Sequence, residues 1–513
     1  MHAGDTAAMN PSGGELRFLL NGELVCVCNV AAQTTVLDFL REHLGRTGTK
    51  EGCAEGDCGA CTVVLAEPAD DGGLAWRPIN ACIRLLATLD GKALFTVEAL
   101  KEADGTLHPV QQALVDCHGS QCGFCTPGFA MSLFGLYKSG ERCTRAAIED
   151  ALSGNLCRCT GYRPIIAAAQ RMHELPAPRG WRAPGVDAQG RRSVSAEERE
   201  LAAKLSRSRA ANLAYEGSGQ RFFAPADEDS LASLCLAHPE ACLLAGGTDV
   251  ALRVTKLHRD LGTIIHTGGV RELLEIRVGP ARLEIGAAVA LADALSAIEA
   301  EYPELAEVWS RFGSPPIRNS GTLGGNIANA SPIGDSMPVL LALGASLILR
   351  RGARQREIAL DDFYLAYQRT VLEAGEFVKT VCVPYREPAT ELRAYKVSRR
   401  FDQDISAVFA CFSLRRASAS PAARTAAIRI GCGGVAAIPK RALRCEQALC
   451  GRPWDAAALA AGEAALESEF EPITDMRASA AYRRIALRNL LRRFFIETSH
   501  KGERTRVREY AAQ

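Results

Sequence analysis

Lys50–Leu65 reads KEGCAEGDCGACTVVL. Cys53, Cys58 and Cys61 stand in the spacing C-x4-C-x2-C, and Cys82 follows in NACIRLL. This is the plant-type ligand pattern of a [2Fe–2S] cluster. Soft thiolate sulfur suits iron. Gly52, Gly56 and Gly59 let a loop curl around a cluster and aim backbone N–H groups at sulfur. Zinc is the competing reading, but zinc ribbons show paired C-x2-C knuckles, which this loop lacks. The flanks fit a small α+β unit. ELRFLLNGELVCVCNV (Glu15–Val30) alternates and turns at Asn21-Gly22, a hairpin signal. TTVLDFLREHLG has helical periodicity, with Thr34 or Thr35 as cap and Gly45 as stop. The strand CTVVLAE and the segment PINACIRLLATLDG complete a β-grasp-like domain over residues 14–90.

A second set of thiols lies in SQCGFCTPGF and NLCRCTGYRP. Cys122 and Cys125 form C-x2-C at the start of one expected helix, and Cys157 and Cys159 form C-x-C at the start of another. Residues 91–173 carry four helix candidates. Pro127 and Pro164 sit near starts, and Gly140 and Gly154 near ends. Alone, C-x2-C suits zinc or a redox pair. Four cysteines on two helix-initiating loops define one site between helices. The partial positive charge of helix N-termini favours an anionic thiolate cage there, hence a second [2Fe–2S] cluster. Cys26, Cys28, Cys117 and Cys143 are left over and read as small buried hydrophobes.

The chain has 513 residues, enough for three or four domains. Its net charge of +1 gives no case for nucleic acid or an anionic membrane. The apolar run PVLLALGASLIL (Pro338–Leu349) is too short to span a bilayer and reads as a buried helix leading into a strand. MHAGDTAAMNPSGGE lacks a secretory signal and reads as a disordered leader, with Met9 as a second candidate start. Twelve of the nineteen cysteines precede residue 172. With no export signal the expected location is cytoplasmic, a reducing compartment. Clustered thiols there point to metal or redox chemistry rather than disulfides.

Residues 174–215, rich in Pro, Gly, Arg, Glu, Ala and Ser, read as an exposed linker with some helix in AEERELAAKLSRS. An α/β region follows over 216–390, and a last α+β region over 391–510 closes on SAAYRRIALRNLLRRFF, a surface helix with one packed face. The α/β region holds two glycine turns next to apolar strands, LLAGGTDVAL and GTLGGNIANASPIGDSMP. Neither matches the G-x-G-x-x-G fingerprint. Read from residues alone, they are either phosphate cradles of backbone N–H groups or ordinary turns.

QCGFCTPG and NLCRCTGYRP, together with the first cysteine set, resemble the iron–sulfur part of the xanthine dehydrogenase and molybdenum hydroxylase family. The resemblance covers almost the whole chain except leader and linker. It implies an α+β multidomain fold: a ferredoxin-like β-grasp domain, a helical-bundle [2Fe–2S] domain, a vanillyl-alcohol-oxidase-like FAD-binding domain and a C-terminal flavoprotein domain. It implies FAD contacts at Leu243, Leu244, Ala245, Gly246, Gly247, Thr248, Asp249 and Val250, and at Thr322, Gly325, Asn326, Ser331 and Asp335. Phe312 matches an aromatic that packs on the isoalloxazine edge. In YKVSRRFDQDIS, Lys396 and Asp404 match flavin-contacting positions, and Arg399 and Arg400 are candidates for the phosphates of NAD+. Gln121 matches a residue that hydrogen-bonds the pterin, with a helix-cap amide as the alternative.

Family members that act alone continue into a molybdopterin domain. The resemblance therefore implies a split enzyme, with molybdopterin on a large partner subunit that oxidises xanthine or hypoxanthine, in a heterotetramer or larger assembly. Electrons would pass from the Cys122/Cys125/Cys157/Cys159 cluster to the Cys53/Cys58/Cys61/Cys82 cluster, then to FAD and NAD+. No catalytic acid–base residue is expected on this chain. Two alternatives keep the same cofactors: a partner acting on an aldehyde, an N-heterocycle or carbon monoxide, and a non-catalytic redox carrier.

Overall fold

The structure is a computed structural model and describes residues 14–141, 143–177, 183–185, 192–208, 212–418, 423–499, 503 and 505. Residues 1–13 of the expected leader, both candidate starts included, fall outside the described residues, while its last residue, Glu15, pairs with Arg17 at 2.8 Å. The chain divides into two compact units, Met1–Glu272 with Gly313–Gly321, and Leu273–Phe312 with Thr322–Gln513.

In the first unit, β1 (Leu16–Leu20) and β2 (Glu23–Val27) form the expected hairpin. Asn21 and Gly22 both take positive φ, as a two-residue turn matched to strand twist requires. With β3 (Thr62–Pro68), β4 (Leu74–Asn80) and β5 (Ala93–Phe95) they make a sheet of order β2-β1-β5-β3-β4, in which β1 and β5 run parallel. Thr35 accepts from the Asp38 N–H and so caps α1 (Val36–Asp38). The chain continues as a π-helical turn over Phe39–His43, shorter and looser than the periodicity suggests.

Four helices follow: α2 (Pro109–Asp116), α3 (Thr126–Ser139), α4 (Arg145–Leu152) and α5 (Arg163–Arg171). The connector expected to be exposed is partly docked. In α6 (Ala196–Ser208), Glu198, Ala202 and Leu205 are buried. The Glu198 carboxylate accepts from the Leu74 N–H and Trp76 Nε1 and pairs with Arg192. The apolar stripe of AEERELAAKLSRS belongs to the helical core, which overrides the polar composition.

Next come β6 (Leu213–Gly217), β7 (Gln220–Ala224), α7 (Glu228–Ala237), β8 (Cys242–Leu244), α8 (Val250–Thr255) and β9 (Ile264–His266), with sheet order β6-β7-β9-β8. One hydrophobic core holds side chains of this sheet (Tyr215, Phe222, Leu244, Ile264) together with those of the β-grasp sheet, Cys61 and Cys82 included.

The second unit contains α9 (Leu291–Glu301), α10 (Ala306–Ser310), α12 (Leu323–Ala328) and α13 (Ser336–Leu343), while α11 (Pro315–Ser320) belongs to the first. Its larger sheet is antiparallel, built from β10 (Ile276–Val278), β11 (Arg282–Gly286), β12 (Ser346–Arg351), β13 (Arg354–Ala359) and β16 (Phe377–Pro384) in the order β10-β11-β16-β12-β13. A small pair, β14 (Tyr364–Ala366) and β15 (Arg369–Thr370), lies apart in sequence from the last sheet. That sheet contains β17 (Thr390–Val397), β18 (Val408–Arg416), β19 (Thr425–Gly433) and β20 (Lys440–Arg441). The run PVLLALGASLIL ends α13, turns at left-handed Gly344 and enters β12, as expected. The closing helices α14 (Leu443–Leu449), α15 (Ala456–Glu467) and α16 (Ala480–Ser499) cover the last sheet, and α16 buries Leu487, Leu490, Leu491 and Phe494 on one face.

Candidate iron–sulfur and flavin sites

The loop from Gly52 to Cys61 folds on itself around Cys53. The Cys53 sulfur accepts from the Asp57 and Cys58 N–H groups, both at 3.4 Å. Cys61 and Cys82 are buried with their sulfurs 3.3 Å apart. Gly56 and Gly59 take positive φ. A methyl group on Gly52 would lie 2.8 Å from the Cys58 sulfur, so the loop is drawn tight against the thiols. Hydrogen bonds from Cys58 and then Cys82 hold the Cys53 thiol far below its usual range, and the bond to Cys53 pushes Cys58 far above it. Cys61 is likewise lowered by Cys82, and Cys82 is raised by Cys53 and Cys61. Four sulfurs this close divide into thiolates and thiols. A cationic iron core is what allows all four to ionise, because metal ligation requires deprotonated cysteine. The donor set therefore fits the cluster that the spacing predicts.

Cys125 is the N-cap of α3, with Cys122 three residues before it. Cys157 and Cys159 occupy a turn ahead of α5 rather than the helix start itself. Tyr162 caps α5 in the left-handed conformation, and its hydroxyl accepts the Cys157 N–H at 3.0 Å. Burial is the main cause raising Cys125 to about 12. Burial opposes ionisation of Cys157, but hydrogen bonds from the Thr160 side chain and N–H outweigh it and lower that thiol. Cys159, hydrogen-bonded to Cys122, is raised. Cys125 thus couples with Cys157, and Cys122 with Cys159, across the two loops. Among the described residues, no three His, Cys, Asp or Glu side chains surround one point as the ligands of a single ion would.

The two cysteine loops touch directly. The Leu156 N–H donates to the Cys58 carbonyl at 3.0 Å. Asn155 is buried, donates from Nδ2 to the Gly59 carbonyl at 3.0 Å and accepts from Ser132 at 2.7 Å. Phe124, between Cys122 and Cys125, is 48% exposed. Sequence reasoning missed Leu156 and Asn155, since nothing in a turn tripeptide marks a partner about ninety-six residues away. Gln121 is exposed, and the N-cap of α3 is Cys125 without a side-chain cap bond, so Gln121 is not a helix cap. Of the leftover cysteines, Cys26 and Cys28 are exposed, which corrects their reading as buried hydrophobes; they lie on or just past edge strand β2. Cys117 and Cys143 are half-buried, and Cys143 lies 3.1 Å from His173 Nε2.

The first glycine turn leaves β8 and enters α8. Leu244 is buried, while Leu243 and Asp249 are exposed and Thr248 is half-buried. A methyl group on Gly246 would lie 1.8 Å from the Ser320 carbonyl oxygen, so only glycine fits. Gly247 has φ +79°. In the second segment, Thr322 accepts from the Gly325 N–H at 3.0 Å, and Asn326 accepts from Ser336 at 2.5 Å. Asp335 and Lys396, 61 positions apart in sequence, meet as a buried ion pair at 2.8 Å. Asp335 also accepts from Ser406 at 2.6 Å. Ser331 lies on the connecting turn, where its hydroxyl meets the Ile333 N–H. Phe312 is buried against Trp309. Asp404 accepts from the Arg400 N–H, and Arg399 donates to the Arg477 carbonyl, so these three tie the 399–404 loop to itself and to its neighbour. Glycines that a side chain could not replace, and polar groups already ordered before any ligand, are compatible with a flavin cradle.

Four family profiles match the chain. They are a 2Fe-2S iron-sulfur cluster binding domain over residues 18–86, a [2Fe-2S] binding domain over 96–170, the FAD binding domain in molybdopterin dehydrogenase over 216–386, and the CO dehydrogenase flavoprotein C-terminal domain over 393–498. Xanthine dehydrogenase from Emericella nidulans is 32% identical over 501 residues, 89% of this chain and 36% of that protein. Xanthine dehydrogenase/oxidase from Gallus gallus is 30% identical over 88% of this chain and 38% of that protein. The chain thus spans little more than a third of the length of these relatives. Among solved structures, a carbon monoxide dehydrogenase from Hydrogenophaga pseudoflava matches with TM-score 0.50 and 28% identity, over 53% of this chain and 94% of that one. Reconstituted CO dehydrogenase from Oligotropha carboxidovorans matches with TM-score 0.50 and 25% identity, over 54% and 96%. Among the described residues, no helix is long and apolar enough to cross a membrane.

Proposed function

We propose, from the premise that this chain belongs to the molybdenum hydroxylase family and supplies its iron–sulfur and flavin region, that it carries electrons from a molybdenum site on a partner polypeptide to NAD+. The partner oxidises xanthine or hypoxanthine toward urate, in the cytoplasm. The observation that carries this reading is the pair of four-thiol loops joined by the Leu156-to-Cys58 hydrogen bond. Two redox sites that share a backbone contact are built for relay. Bound there, two [2Fe–2S] clusters supply one-electron steps, and FAD supplies the change to hydride transfer.

The chain's own residues hold and tune. Cys53, Cys58, Cys61 and Cys82 are the ligands of one cluster, and Cys122, Cys125, Cys157 and Cys159 of the other. Leu243–Val250, together with Thr322, Gly325, Asn326, Ser331, Asp335, Phe312, Lys396 and Asp404, contact FAD. Arg399 and Arg400 receive NAD+, and exposed Gln121 faces the partner's pterin. The xanthine substrate is supported by relatives 30–33% identical. A separate partner chain is supported by the carbon monoxide dehydrogenases, where a polypeptide covered to 94% by this chain corresponds to only 53% of it. Those same matches and the C-terminal profile favour, as a second reading, a partner that oxidises carbon monoxide.

Metal and flavin analysis of the purified complex, with xanthine-dependent NAD+ reduction, tests the proposal. About four iron and one FAD per chain are expected. Two iron, or zinc in their place, would remove the second cluster. Cys157→Ser should abolish one of two EPR signals while flavin absorbance persists.

A further inference from the structure

We propose that Lys256 and Glu55 form a charge pair that sets the reduction potential of the cluster held by Cys53, Cys58, Cys61 and Cys82. The inference rests on the cluster reading above. Lys256 is the C-cap of α8, one short helix after the glycine turn. Its ammonium donates to the carbonyl oxygen of Cys53 and lies 3.4 Å from the Glu55 carboxylate. The Cys53 sulfur accepts from the Asp57 and Cys58 N–H groups, both at 3.4 Å. One ligand residue is therefore held from both ends, by a cation on its carbonyl and by backbone N–H groups on its sulfur, with the Glu55 carboxylate beside that cation.

Stability does not account for this arrangement. The two side chains are 41% and 46% exposed, and ion pairs of that exposure contribute little to stability. Their charges act on redox chemistry instead. Reduction adds negative charge to the cluster, so a nearby cation favours the reduced form and a nearby anion the oxidised form. With both present, the Lys256 and Glu55 charges offset each other beside Cys53. Removing the lysine leaves the carboxylate unopposed beside Cys53. Removing the carboxylate leaves the lysine unopposed.

EPR-monitored redox titration of the intact complex tests this with Lys256→Met, Glu55→Gln and Lys256→Arg. Lys256→Met should weaken reduction of this cluster about tenfold, ~59 mV for a one-electron couple. Glu55→Gln should shift it the opposite way, Lys256→Arg should stay at the wild-type value, and the Cys122/Cys125/Cys157/Cys159 signal should not move. Raising the ionic strength should shrink the differences. Unmoved midpoints in both charge-removing variants, or shifts of the same sign, overturn the proposal. The latter would mean that the loop merely loosened. Iron content and the number of EPR signals in the wild type test the cluster reading itself, independently of where the midpoints fall.

Discussion

Gly59→Ala should separate the two cysteine loops. Gly59 has φ +70°, which costs an alanine about 1–2 kcal/mol. Its new methyl group would lie 2.1 Å from the Gly154 carbonyl oxygen and 2.6 Å from Asn155 Nδ2. Neither atom can step aside without breaking a bond that joins the loops, the Leu156 N–H to Cys58 carbonyl bond or the Asn155 to Gly59 bond. Each such hydrogen bond is worth about 1 kcal/mol net. The sum is about 3–4 kcal/mol, a large part of the roughly 5–15 kcal/mol by which a typical fold is stable. Gly161→Ala is the matched control. Gly161 has φ +65°, but a methyl group there meets nothing within 4 Å, so only the conformational cost of about 1–2 kcal/mol applies. Urea titration of the cluster charge-transfer absorbance in both variants gives the comparison. If Gly59→Ala loses no more stability than Gly161→Ala, the loops are not rigidly pressed together and the reasoning fails.

His266 is buried, its imidazole meets the Leu244 carbonyl at 3.1 Å, and burial chiefly drives it down to about 3. A histidine depressed on folding leaves stability intact above its unfolded value and removes it as pH falls, because the unfolded chain binds the proton first. Wild-type stability should therefore fall by about 1.4 kcal/mol per pH unit below 6.5 from this residue alone. His266→Gln should flatten that acid limb in urea midpoints, and an unchanged slope would exclude the residue as its source. Lys396→Met leaves Asp335 a buried carboxylate with Ser406 as partner, at a cost of about 3–5 kcal/mol, read as a lower melting temperature even before FAD is added. Glu198→Ala removes the acceptor of the Trp76 indole N–H and of the Leu74 N–H, so limited proteolysis should cut α6 faster while β1–β5 stay protected; equal cleavage rates would show that α6 is held by its apolar stripe alone.

Much of the site was legible because its chemistry is local in sequence. Asn21-Gly22 announces its hairpin through the φ values it alone tolerates cheaply, and the two cysteine patterns carry their spacing within a few residues. What could not be read is what depends on distant partners. The stripe of Leu201, Ala202 and Leu205 in α6 looked like a solvated linker until Glu198 found Trp76. Cys26 and Cys28 alternate as a strand should, but only the sheet order shows that β2 is an edge. The pairing of Lys396 with Asp335, and of Lys256 with Cys53, joins residues whose separation along the chain leaves no periodic trace. The π-helical turn after α1 shows packing overruling a pattern that reads as one longer helix.

The core that Tyr215, Phe222, Leu244 and Ile264 share with the β-grasp sheet changes what can be taken apart. A cut in the 174–215 connector does not release two self-sufficient modules, because each piece would carry a raw apolar face that the other now covers. The ferredoxin-like part is therefore not a cassette to be swapped among relatives. Insertion, shuffling or transplantation of the Cys53–Cys82 segment has to bring the β6–β9 sheet with it, or replace the faces it buries.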